Sequence, residues 1–165
     1  MRRLVLAASL LFALAGAPAF AQSPAHAQPA TPSAEAMQAN ADEAARVVDS
    51  FMTALIGGQL ETARQMMLPD AVVMSNGQIL GTRDGYIDGA AKADSAALRN
   101  VQRELVDRGA KAGANLGWVV SEKRLRGAAG TQGPRELMLS ETMLLMRTEQ
   151  GWKIAHIHWS GRTAG

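Results

Sequence analysis

The chain has 165 residues, no cysteine, and 17 lysine plus arginine against 15 aspartate plus glutamate. Without cysteine there is no disulfide framework, thiolate nucleophile, cysteine-based zinc site or lipoprotein anchor. Arg2 and Arg3 fall in an acid-free leader, and without them the charges balance at fifteen of each sign, which removes the electrostatic footprint of a nucleic-acid binder.

The leader is the first element. Met1-Arg2-Arg3 precedes an apolar run from Leu4 to Leu14, and small residues stand at Ala19 and Ala21. A positive start, an apolar stretch too short to span a bilayer and an A-x-A site define a secretory signal peptide over residues 1–21, cleaved after Ala21. The expected location is periplasmic or secreted, with no membrane association after cleavage. Residues 22–40 are rich in Ala, Pro, Gln and Ser and carry too little bulky apolar surface to offset the entropy of ordering them, so they are expected to form a flexible linker. His26 lies in that linker, a poor place for a preorganised ligand.

The folded unit is expected over residues 41–162. Asn40 and Glu43 have the spacing of a reciprocal N-terminal cap. Ala44, Val47, Val48, Phe51, Met52, Leu55 and Ile56 then repeat at helical spacing, and Gly57-Gly58 ends the helix. A short helix from Leu60 to Met67 stops before Pro69. Ala71 to Met74, an Asn76-Gly77 turn and Gln78 to Leu80 form a hairpin, since Asn-Gly accepts the positive φ angles of a type I′ turn. Thr82 is placed to cap a third helix to about Lys92, which Gly85 and Gly89 weaken by about 1 kcal/mol each relative to alanine. Leu98 to Val106 fits a helix or a strand equally. Leu116–Leu125, Glu136–Arg147 and Trp152–Ser160 read as three long strands in an antiparallel meander. Helices first and strands after describe a single α+β domain, a curved sheet wrapped around a long helix.

The segment SETMLLMRTEQGWKIAHIHWSG, Ser140 to Gly161, resembles the closing hairpin of the SnoaL-like and nuclear transport factor 2-like superfamily. It is most similar to the association-domain branch of calcium/calmodulin-dependent protein kinase II, whose last strand reads Ile-x-His-x-His-x-Ser-Gly. The order of upstream elements matches from about Ala41. The resemblance implies a cystatin-like cone, with a bent antiparallel sheet around the first helix and a pocket between the concave face and the helices. It also implies a homodimer through the outer sheet face. Because isomerases, dehydratases, cyclases, adaptors and assembly modules share this fold, it does not imply one function.

His156 and His158 stand two apart on a strand and therefore share a face, which simple alternation gives also to Trp152, Ile154 and Ser160. Packing at a dimer surface, acid-base work in the pocket and metal ligation remain open for the pair. A zinc site would need Glu141 or Glu122 as a third ligand, and no metal or cofactor is assigned. Trp159 falls on the opposite face, where the kinase branch has a basic pocket residue, so an indole there implies a flatter, more apolar pocket suited to a ring. Arg135 matches a Pro-Arg pair of that branch and is the candidate anion-binding group. The branch's other basic positions are missing near Gly85 and from Val119 to Ser121, so its ligand is not carried over. Glu141 alternates onto the face of Leu139, Met143 and Leu145 and is the candidate general base, or else an ion-pair partner for Arg135. Asp84 and Tyr86 are weaker pocket candidates. The expected function is small-molecule binding or homo-oligomeric assembly. The alternative is a cofactor-independent isomerase, dehydratase or cyclase acting on a cyclic apolar substrate.

Overall fold

The computed structural model describes residues 32–128 and 135–164. The span expected as a signal peptide with its cleavage site, His26 and most of the span expected as linker lie outside the described residues, as do residues 129–134. The element order is α1 (Ala34–Ile56), α2 (Leu60–Gln65), β1 (Met67–Ser75), β2 (Gln78–Thr82), α3 (Arg83–Asp88), α4 (Ala90–Leu98), β3 (Gln102–Ala112), β4 (Leu116–Ala128), β5 (Arg135–Thr148) and β6 (Gly151–Thr163).

Helix α1 begins at Ala34, inside the span expected as linker. Ser33 caps it, its side chain accepting from the Ala36 amide at 3.1 Å, and alanine-rich sequence propagates a helix well once it is capped. Asn40 and Glu43 are therefore not a cap. The Asn40 amide donates to the Gly113 carbonyl at 2.8 Å, and Arg147 donates to both Asn40 and Glu43, which fastens the helix to the sheet. The apolar stripe forms as its spacing predicts: Val48, Phe51 and Leu55 are fully buried against Met143, Leu145, Ile154 and Ile157. Burial of each such side chain contributes about 1.5–3 kcal/mol.

One six-stranded sheet in the order β2-β1-β6-β5-β4-β3 curls around α1. Its pairs are antiparallel, as expected, except that β1 runs parallel to β6. The β1–β2 turn has φ of 47° at Asn76 and 80° at Gly77, the positive pair that Asn-Gly supplies. The Asn76 side chain also accepts from the Gly161 amide at 2.9 Å, tying the turn to β6. The single third helix expected after Thr82 is broken at Gly89 into α3 and α4; of the ambiguous segment, Leu98 closes α4 and the residues from Gln102 on begin β3.

Strand β6 departs from simple alternation. Leu145 pairs with Ile154 and Leu144 with His156, leaving Ala155 unopposed as a β-bulge. The extra residue shifts the phase, so that Trp152 and Ile154 before it and Ile157 and Trp159 after it all point into the core. His156 and His158 share a face as expected, but it is the outer one. The company of Trp152 and Ile154 that alternation assigned to them is corrected by this bulge.

Candidate functional site

A cavity of about 270 Å³ opens where the end of α1 meets α4 and the ends of β5 and β6. Met52, Leu55, Leu98, Leu137 and Leu139 make it mainly apolar, and Trp159 forms one wall. Its size is just below the usual range of small-molecule sites, and its apolar walls with few polar groups are typical of them. Asp94, from α4, is the one titratable side chain lining it among the described residues.

Asp94 accepts a hydrogen bond from the Tyr86 hydroxyl at 2.9 Å. Burial pushes the Asp94 carboxyl above the ordinary carboxylate range, and the Tyr86 hydrogen bond opposes the shift. Tyr86, fully buried on α3, has its phenol pushed far upward, first by burial and then by the Asp94 charge. Its ring lies 5.8 Å from that of Trp159 at 51°, a tilted aromatic contact that stands Tyr86 behind the cavity wall. Tyr86 acts on the cavity through Asp94 and Trp159. Asp94 was missed by sequence reasoning; its one signal is that it is the sole acid in the alanine-rich run from Ala90 to Leu98.

Glu141 points inward as its alternation predicts and is 1% exposed. It is committed on both oxygens: Lys123 Nζ donates to Oε1 at 2.7 Å and Trp159 Nε1 to Oε2 at 2.9 Å. Lys123 is thus an ion-pair partner of Glu141. A carboxylate so engaged, and absent from the cavity lining, is not placed as a general base. Lys123 carried no sequence signal, because its pairing with a carboxylate eighteen positions away depends on how β4 and β5 register.

Two comparisons with known proteins place this architecture. Residues 44–164 match the SnoaL-like domain. The chain belongs to the SnoaL-like domain family. This SnoaL-like domain is similar in fold to a proposed ketosteroid isomerase from Shewanella frigidimarina, with 24% identity and a TM-score of 0.66 over 72% of this chain and 94% of that one. A proposed dehydratase of the NTF2-like family from Streptomyces avermitilis follows, at 17% identity and a TM-score of 0.65 over 77% and 99% of the two chains. The CaMKII hub of S. rosetta matches at 19% identity and a TM-score of 0.58 over 74% and 96%. The kinase-hub likeness expected from Ser140–Gly161 is therefore present among the structures that share the fold. No curated protein matches the sequence.

Of the remaining site candidates of the SnoaL-like domain, His156, His158 and Asp84 lie apart from the cavity. His156 and His158 are on the outer sheet face, beside Val72, Met74, Thr142 and Leu144 by register. Arg135 opens β5 opposite Ala128, and its side chain is outside what the structure describes. Asp84 sits on the surface, held by Arg83 and Arg64. Among the described residues no group of three or more His, Cys, Asp or Glu side chains is gathered to hold a metal.

Proposed function

We propose that this SnoaL-like domain binds a small, mainly apolar molecule in the cavity beside Trp159, with Asp94 as its polar anchor. The observation that carries this is a partly buried carboxyl, pushed upward in affinity for its proton, in a lining otherwise free of titratable groups among the described residues. Such a group discriminates between ligands by hydrogen bonding, while the apolar walls supply affinity. Titration with cyclohexanone tests it. A saturable change in emission is expected, lost in Trp159→Phe and in Leu139→Trp, which fills the cavity; a linear, variant-independent response would overturn the reading.

A second reading is favoured by the same carboxyl. Asp94 has the raised proton affinity of a general base, and the solved relatives named for isomerase and dehydratase chemistry support a cofactor-independent enzyme on a cyclic apolar substrate. Asp94 would take a proton from the carbon beside a carbonyl and return it. The signature is deuterium uptake by cyclohexanone in heavy water, catalysed by the wild type and not by Asp94→Asn. Equal uptake with both proteins removes this reading and leaves the binding proposal standing.

We further propose a homodimer through the outer sheet face and export directed by the signal peptide. Leu116, Val120, Leu144 and Met146 are exposed on adjacent strands there, with His156 and His158 beside them, and one apolar face of this kind is self-complementary about a two-fold axis.

A further inference from the structure

A second cavity, of about 580 Å³, lies between α1 and the β3–β4 edge of the sheet. Its walls are apolar at Met52, Ile56 and Leu105, while Arg103, Arg108 and Lys123 bring three cations to it against the single carboxylate of Asp49.

Each cation is held in place by the fold. Arg108 forks onto Asp49 at 2.9 and 2.7 Å and donates through Nε to buried Ser121 at 3.2 Å. Arg103 donates through Nη1 to the carbonyls of Leu98 at 2.7 Å and Val101 at 3.0 Å, which leaves its Nε and Nη2 donors without a partner among the described residues. Lys123, with a side chain 11% exposed, uses one of its three donors on Glu141. A buried ion pair is weak evidence of stabilisation, because desolvation offsets most of its attraction. With Arg108 paired to Asp49 and Lys123 to Glu141, Arg103 is the cation left over at this apolar pocket among the described residues, and Lys123 beside it has two further donors.

We propose that this cavity is a second binding site, for a small carboxylate with an apolar body, its charge set between Lys123 and Arg103 and its body against Met52 and Ile56. Planar guanidinium donors suit a carboxylate, and the low exposure of Lys123 strengthens the attraction. The site is joined to the first cavity by Met52, which lines both, and by a hydrogen-bonded link through Glu141. Glu141 takes Lys123 on one oxygen and the Trp159 indole on the other, so an anion that draws on Lys123 alters the hydrogen bond at the wall of the neighbouring pocket. The proposal does not rest on what the first cavity binds; Trp159 only reports on both.

The test titrates the full chain with benzoate, with benzyl alcohol as the neutral analogue and sulfate as the anion without an apolar body, by calorimetry and Trp159 emission. Benzoate is expected to bind once per chain and more tightly than either control, weakened by about tenfold in Arg103→Gln, the loss of one charge-assisted hydrogen bond. Lys123→Met combined with Glu141→Gln, which keeps an acceptor for Trp159, is expected to weaken benzoate similarly and to abolish the emission response. Leu139→Trp is expected to leave benzoate binding unchanged while removing the cyclohexanone response. The proposal is overturned if benzoate fails to saturate, if benzyl alcohol binds as well, if Arg103→Gln has no effect, or if Leu139→Trp removes benzoate binding.

Discussion

The side chains that matter most are those whose charge the fold has had to accommodate. Removing Glu141 as Glu141→Ala leaves Lys123 in the interior without its partner, and the expected loss of stability is about 3–5 kcal/mol by chemical denaturation. Lys123→Met with Glu141→Gln removes both charges and is expected to recover most of it. Asp94 behaves in the opposite sense. Its folded-state proton affinity is raised above the ordinary aspartate value of 3.8, so ionising it costs stability. That cost is absent below the ordinary value, grows as pH rises through it, and is complete once pH passes the folded value. The melting temperature of Asp94→Asn relative to wild type is therefore expected to climb as pH rises above the ordinary aspartate value of 3.8. Asp84 is again the reverse: hydrogen bonds from Arg83, and then from Arg64, hold its carboxyl down at about 2. Its contribution is present above the ordinary value and lost as pH falls through about 2, so the small advantage of wild type over Asp84→Asn is expected to vanish there. None of these pairings was legible from spacing. Glu141 was identifiable as inward-facing from its apolar neighbours on β5, but its partner stands on β4, Tyr86 and Asp94 meet across the break at Gly89, and neither meeting leaves a local pattern.

At the scale of elements, the stripe through Val48, Phe51 and Leu55 and the Asn76-Gly77 turn were legible because each rests on local geometry, a helical period in one and two positive φ angles in the other. Phe51→Ala is expected to cost about 3–5 kcal/mol, read from denaturant midpoints at unchanged slope, because the cavity it leaves lies under the centre of the sheet. The start of α1 was hidden because alanines with scattered polar residues look like linker until Ser33 caps them. Ser33→Ala is expected to cost about 1 kcal/mol, visible as fraying of the first turn by amide exchange. Strand β6 was legible as a strand and illegible in phase. Ala155 has no feature that marks a bulge, and a single unopposed residue reverses the face of everything beyond it. Deleting Ala155 leaves Trp152, Ile154, Ile157 and Trp159 in plain alternation on one face, so the variant is expected to fold with its core intact, read from an unchanged denaturation slope.

For the whole molecule, the cone was legible as an order of elements, helices first and a three-stranded meander last. Its contents were not, since both cavities are enclosed by residues far apart in the chain. The outer face carries the assembly question: light scattering is expected to give twice the chain mass, falling to one chain in Leu144→Lys, while both cavities keep their ligands. The parallel pairing of β1 with β6 has a bearing on biogenesis. The hairpin near the start of the domain can acquire its second neighbour only when the final strand has been made, so two of the six strands stay apart from the rest until then. Such long-range closure is slow to form. For the export proposed above, a chain that closes its sheet late would stay threadable through a narrow protein conduit.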